Sequence, residues 1–189
     1  MLRNINLTNN TNTNKLSGAR VYLSGPIEYA SDLGKGWREE FTKRSKELGL
    51  DLVIINPCNK PLHLAPEVSG EYSTTTELRK NKDWAGLRKA VKIFRRQDLR
   101  FTDISDALVI YVDRNIHMCG SYDEAYTAER QRKPIFCIVE GGIDKLPTWL
   151  FGVFKLEHIF SSVEECLQHL YKLAYSESEL EDNWVLINI

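Results

Sequence analysis

The segment ALVIYV, residues 107–112, constrains the fold of this chain more than any other. It is the most strongly apolar run in the sequence. A continuous apolar run of this length is typical of a central parallel strand that is covered on both faces. The segment therefore predicts a parallel sheet with helices on either side.

Other segments supply the remaining elements of such a sheet. Further strands are predicted at 20–24, 51–55, 135–139 and, as a short piece, near 158–160. Helices are predicted at 37–48, closed by Gly49, and at 83–102, 120–132 and 162–174. Because strands and helices alternate, we expect a single α/β domain with a doubly wound parallel sheet of about five strands. In such folds ligands bind beyond the carboxyl ends of the strands.

The two ends of the chain and one internal segment differ from this pattern. Residues 1–17 are rich in Asn and Thr and predict a disordered leader, so the catalytic domain is placed at 18–174. The tail 175–189 is acidic and then apolar. It either contacts a neighbouring subunit or packs on its own domain. Residues 58–82 lack periodicity, which indicates a functional or mobile loop.

Composition excludes several classes of partner. The formal net charge is -1, so no overall field favours a nucleic-acid polymer or an anionic membrane. No apolar run is long enough to span a bilayer, and no signal peptide is recognisable. The four cysteines form no C-x-x-C pair, so neither a metal site nor a disulfide framework is expected. We expect a cytoplasmic protein.

Two strand ends carry the candidate binding groups. The first strand ends in Tyr22, Leu23, Ser24, Gly25 and Pro26, and its tyrosine can point into the crevice while the glycine admits a ligand close to the backbone. After the central strand, Gly120 and Ser121 open a helix whose free N–H groups attract anions. We expect these residues to line the substrate site.

Two acids complete the candidate site. Glu124 lies one turn into the predicted helix, where it is either a functional carboxylate or an ordinary first-turn acid that offsets the helix dipole. Asp98 lies near the predicted end of the preceding helix, where a carboxylate is unfavourable unless Arg95, Arg96 or Arg100 pairs with it. Two acids in unlike environments suit cleavage of a glycosidic bond, in which one attacks the anomeric carbon and the other protonates the leaving group.

Three segments in this order resemble the nucleoside 2-deoxyribosyltransferase family and its nucleotide-hydrolase relatives: VYLSGPI, RRQDLRFTDISDALVIYVD and GSYDEAYTA. The resemblance implies a flavodoxin-like fold, a covalent glycosyl–glutamate on Glu124, Asp98 as the second acid and Tyr22 as the residue that orients the nucleophile. It also implies a homo-oligomer that needs no metal or organic cofactor.

One position departs from both branches of the family. Six residues before Glu124 the transferases carry an acid that helps bind the base, and the hydrolases often carry a hydroxyl residue for the 5′-phosphate. Met118 occupies this substrate-binding position here, although Ser121 could replace the hydroxyl. The leading expectation is transfer of a deoxyribosyl group from a nucleoside to a free base. The alternatives are hydrolysis of a nucleoside 5′-monophosphate and a nucleotide-sensing module without turnover.

Overall fold

Five parallel strands form one sheet in the computed structural model, which describes residues 13–60, 75–176, 180–181 and 183–184. The strands are β1 (Arg20–Ser24), β2 (Val53–Ile55), β3 (Ala107–Val112), β4 (Ile135–Val139) and β5 (Ile159–Phe160). Their spatial order is β2-β1-β3-β4-β5, which is the flavodoxin-like order. The apolar run at residues 107–112 is the central strand β3, so the predicted fold class is confirmed.

In the described part of the chain, four helices pack against the sheet. They are α1 (Lys35–Glu47), α2 (Trp84–Ile104), α3 (Cys119–Arg130) and α4 (Val163–Tyr175). Gly49, with a φ of 70°, follows the end of α1 in the left-handed conformation that glycine favours. Short 3₁₀ turns join the elements at Pro57–Asn59, Ile143–Lys145, Thr148–Gly152 and Leu156–His158.

The two faces of the sheet bury separate hydrophobic clusters. On one face α1 and α4 pack against β1, β3 and β4 through residues such as Phe41, Val109 and Leu167. On the other face α3 packs against the same strands through residues such as Ile110 and Ala125. Successive residues of a strand point to opposite faces, so each strand contributes to both clusters.

The predicted boundaries of the leader and of the tail need correction. Leu16 is fully buried and belongs to the α1/α4 cluster, so the chain is ordered from at least residue 13 and not from 18. Trp184 is also buried in that cluster, which places this part of the tail on its own domain. Residues 1–12 and 185–189 lie outside the described residues.

The predicted irregular loop 58–82 is partly regular. It starts within the 3₁₀ turn Pro57–Asn59, and residues 75–80 are helical. Residues 61–74 lie outside the described part of the chain. Over the described residues, no helix has the length and apolar character needed to cross a membrane.

Candidate functional site

Glu124 is the buried centre of a polar cluster at the carboxyl end of the sheet. Its residue is 7% exposed, and its carboxylate accepts hydrogen bonds from the Tyr22 hydroxyl, at 3.0 Å, and from the Ser24 hydroxyl. Because α3 begins at Cys119, Glu124 lies beyond the first helical turn, which contains no acid. The interpretation of Glu124 as a first-turn acid that offsets the helix dipole is therefore wrong.

Strand geometry explains why two residues of β1 reach one carboxylate. Tyr22 and Ser24 are two positions apart, so both side chains point to the α3 face, while Val21 and Leu23 point to the opposite cluster. Both residues are almost completely buried. Because side chains alternate between the two faces along β1, this strand supplies two hydroxyl donors to one carboxylate.

The ionisation of Glu124 is strongly perturbed. Burial raises its pKa to about 7, and the nearby charge of Asp98 adds to the rise, while the hydrogen bonds from Ser24 and Tyr22 oppose it. Burial also raises the pKa of Tyr22 well above its usual value, so the phenol stays a donor. Near neutral pH both protonation states of the Glu124 carboxyl are therefore populated, including the ionised form that a nucleophile or general base needs.

Asp98 stands close to this carboxylate but in a different environment. It forms an ion pair with Lys60, whose side chain is 4% exposed against 18% for Asp98. Burial raises the pKa of Asp98, and the positive charge of Lys60 opposes that rise. The site therefore holds two carboxyl groups whose surroundings differ, one bonded to hydroxyls and the other to an ammonium group.

Two expectations about Asp98 are wrong. Helix α2 continues to Ile104, so Asp98 lies more than a turn before its end, where the helix dipole has little effect. The alternative pairing of Asp98 with a neighbouring arginine is not observed among the described residues either, since its ion-pair partner is Lys60 and Arg95 pairs with Asp123.

A second buried cation lies beneath the site. Arg38 is fully buried, and its guanidinium donates to the carbonyl oxygens of Leu23, Gly25 and Gly34. These bonds fix the connection that leaves β1. Burial lowers the pKa of Arg38, and the negative charge of Glu124 is among the groups that oppose this effect.

The turn after β1 is closely packed. A Cβ atom on Gly25 would lie 2.9 Å from the Trp37 ring and 3.3 Å from Tyr111, so only glycine fits there. The rings of Trp37 and Tyr111 stack at 5.1 Å between centroids. Pro26 is buried beside them. Gly25 and Pro26 thus form a closely packed turn directly after Ser24 at the carboxyl end of β1.

The start of α3 carries main-chain donors without partners inside the helix. The first helical hydrogen bond runs from Tyr122 N to Met118 O, so the N–H groups of Cys119, Gly120 and Ser121 have no partner within the helix. A Cβ atom on Gly120 would contact nothing within 4 Å, so the space beside this residue is open. Met118 and Ser121 are buried, and Met118 packs in the α3 cluster.

Two residues of the site, Lys60 and Arg38, are not predicted from the sequence. Lys60 lies in the segment that showed no periodicity, and its partner is 38 positions along the chain, so no local pattern joined them. Arg38 is an arginine in an amphipathic helix, where a solvated position is the ordinary outcome. Across the described ranges, no three His, Cys, Asp or Glu side chains are grouped so as to hold a metal ion.

Comparison with known proteins supports the class of fold. The crystal structure of a conserved protein from Enterococcus faecalis V583 is similar over 82% of this chain and 99% of that one, with a TM-score of 0.58 and 15% sequence identity. At that identity the similarity concerns the fold alone. No protein-family model and no curated protein matches the chain. The chain is thus a single-domain, flavodoxin-like α/β protein.

Proposed function

We propose that this protein cleaves the N-glycosidic bond of a 2′-deoxynucleoside or its monophosphate and passes the sugar to another base. The observation that carries the proposal is the buried Glu124 carboxyl, held by Tyr22 and Ser24 with a second carboxyl, that of Asp98, close by. A pair of carboxyl groups in unlike environments is what glycosidic chemistry requires. The resemblance to the nucleoside 2-deoxyribosyltransferase family directs the proposal to nucleosides.

The proposed reaction has two steps, formation of a glycosyl ester on Glu124 and transfer of the sugar from it. In the reacting form the one proton of the carboxyl pair has moved from Glu124 to Asp98, so that the ionised Glu124 carboxylate attacks C1′ while the C1′–N bond breaks, and the bonding electrons leave with the base, whose nitrogen takes that proton. The nitrogen of a second base then attacks C1′ of the glycosyl ester, releases Glu124 and returns a proton to Asp98. If water replaces the second base, the outcome is hydrolysis.

The surrounding residues have defined tasks in this scheme. Tyr22 and Ser24 hold the Glu124 carboxylate in one orientation, which favours attack along one line. The free N–H groups at the start of α3, including those of Gly120 and Ser121, are donors for the sugar or a 5′-phosphate. Met118 contributes an apolar surface at the position where the transferases carry an acid. No step requires a metal or an organic cofactor.

The decisive experiment combines product analysis with protein mass. The protein is incubated with deoxynucleosides and their monophosphates, with and without free bases, and the quenched protein is weighed intact. We expect base release, a new nucleoside when a second base is present, and a transient mass increase equal to one deoxyribosyl group. Glu124→Ala should abolish all three, while the control Glu129→Gln, exposed on the same helix, should retain them.

Three other results have distinct meanings. Base release without a new nucleoside identifies a hydrolase, and a strict requirement for the monophosphate identifies a nucleotide N-glycosidase. Saturable binding with no product for any pairing of donor and base supports a nucleotide-sensing module and contradicts the proposed enzyme. Full turnover by Glu124→Ala would exclude a covalent glutamate.

We also propose that the protein works as a homo-oligomer in the cytoplasm. The connection between β4 and β5 exposes large apolar side chains, with Trp149 78% and Leu156 65% accessible, which favours contact with another protein surface. All four cysteines are free thiols, in keeping with a reducing compartment. Light scattering during gel filtration measures the assembly. A monomer at micromolar concentration would contradict the proposed homo-oligomer.

A further inference from the structure

Lys60 is an unusual residue for the position that it occupies. It follows the 3₁₀ turn Pro57–Asn59, its side chain is 4% exposed, and its ammonium group pairs with Asp98. The nitrogen also lies 5.6 Å from the centre of the Phe101 ring, one helical turn after Asp98. A lysine is almost never buried to this extent unless its charge is compensated.

Stability alone does not explain this ion pair. Removing two charges from water is costly, and replacing a buried pair by apolar side chains is often neutral or stabilising. Phe101 and Tyr22 already provide an aromatic surface there, with ring centres 5.9 Å apart. The pair therefore calls for an explanation in terms of the site that it adjoins.

The distribution of charge in the site gives that explanation. The N–H groups of Arg38 are directed to main-chain carbonyl oxygens, so Arg38 affects the carboxylates only through space. Lys60 instead contacts Asp98 directly. Asp98 acts on Glu124 through its charge, and Tyr22 is the further ionisable group that faces this pair.

We propose that Lys60 is a positioning residue of this site that acts through Asp98, because its ammonium group fixes the place of that carboxylate and supplies the positive charge that the carboxylate pair requires. The inference rests on the proposed function, in which the working form of the pair carries one proton. Two interacting carboxyl groups lose their protons in two steps, and the pKa of each step is a property of the pair rather than of one residue. A cation in contact with one of them moves both steps to lower pH.

The test is the pH profile of kcat/KM for Lys60→Met. Loss of the charge should move the whole bell-shaped profile upward by about one pH unit or more. The variant should therefore lose about tenfold or more relative to wild type on the acid side and exceed wild type by a similar factor on the alkaline side. Lys60→Arg keeps the charge and should keep the profile in place. A uniform loss at every pH would show a merely structural role and overturn the inference.

Lys133→Met is the matched control. Lys133 also reaches α2, where it donates to the carbonyl oxygens of Thr102 and Asp103, but it does not touch Asp98. Its removal deletes one cation beside the same helix and should leave the midpoints of the profile unchanged. If Lys60→Met does not fold, Lys60→Gln provides the same loss of charge with a polar side chain.

A second measurement separates this inference from the proposed function. The Asp98 carboxyl is titrated by carbon NMR in protein labelled at aspartate, with Asp98→Asn to identify its signal. The inference requires the midpoint of this signal to rise by about one pH unit or more in Lys60→Met. An unmoved midpoint overturns the inference whether or not the protein has activity. A moved midpoint in a protein without turnover upholds the electrostatic role and refutes the proposed reaction.

Discussion

At the scale of single residues, the site depends on a carboxyl group that is both buried and well bonded. Burial destabilises the Glu124 anion, whereas the hydroxyls of Tyr22 and Ser24 stabilise it. The two effects compete, and burial prevails, since the pKa rises to about 7. Small changes around this side chain should therefore alter the pH at which it ionises.

Tyr22→Phe tests the donor that reaches Glu124 from β1. Loss of a hydrogen bond to a charged group costs about 1.5–3 kcal/mol, so kcat/KM should fall by about one to two orders of magnitude. The acid limb of the pH profile should also move upward, because the bond lowers the pKa of Glu124. Tyr175→Phe is the control, since that hydroxyl bonds Gly49 O on the opposite face of the sheet. An unmoved acid limb in Tyr22→Phe would contradict the prediction.

Glu124→Gln tests the same residue through stability. The folded-state pKa of about 7 lies above the ordinary value of 4.5, so the folded protein binds this proton more tightly. The stabilising contribution is thus complete below pH 4.5 and is lost as the pH rises through 7, by up to about 3 kcal/mol. Urea unfolding at pH 5 and pH 8 should show that the variant gains stability relative to wild type at the higher pH. An equal difference at both values would refute this.

At the scale of elements, the connection between β1 and α1 is held by hydrogen bonds at the carboxyl end of β1. Arg38 of α1 reaches back to carbonyl oxygens on both sides of the turn, at Leu23 and Gly34. Gly34 precedes α1 with a φ of 68°, a conformation that L side chains rarely adopt. The turn is therefore defined by one buried guanidinium and one glycine.

Gly34→Ala should disrupt this turn. The added Cβ would overlap the Pro26 carbonyl oxygen and the Arg38 guanidinium, so the turn must move as well as absorb the backbone strain. Gly18→Ala is the matched control, because Gly18 has a φ of 77° and open space around it. We expect the control to lose about 1 kcal/mol of unfolding free energy and Gly34→Ala to lose clearly more, together with activity. Equal losses would show that the packing around Gly34 is unimportant.

Elements with a strong periodic or apolar signal were predicted well from the sequence, and contacts between distant residues were not. The run 107–112 is β3, and Gly49 ends α1 as expected, because each depends on local chemistry. The ion pair of Lys60 with Asp98 depends on the approach of two separate elements. Helix α2 ends at Ile104, two residues beyond the predicted end at 102, because the sequence pattern does not fix the last turn of a helix.

At the scale of the whole molecule, the two hydrophobic clusters have different tasks. The cluster under α1 and α4 also buries Leu16 and Trp184, so both ends of the described chain pack against it. The cluster under α3 includes Tyr22 and Met118 and therefore supports the candidate site. The described chain ends thus pack on the face of the sheet opposite to the side chains of Tyr22 and Glu124.

Trp184→Ala tests this division. The indole is 2% exposed and lies 5.9 Å from the Phe136 ring, so its removal should cost about 3–5 kcal/mol of unfolding free energy. Trp84→Ala, which removes the side chain of a residue that is 60% exposed, should change the unfolding free energy by less than about 0.5 kcal/mol. Urea unfolding measures both. The folded fraction of Trp184→Ala should keep its pH profile, and a shifted profile would show that the two clusters are coupled.

Helix α2 carries Asp98, yet of its 21 residues only Thr102 is buried. It is joined to α3 by polar bonds, including those of Arg95 with Asp123 at 2.7 Å and of Gln131 with Asp103 at 2.8 Å. Exposed ionic contacts weaken as added salt screens them, whereas the apolar docking of α4 does not. Ionic strength should therefore control how often α2 opens, and its amides should exchange with deuterium faster in high salt while those of α4 keep their protection.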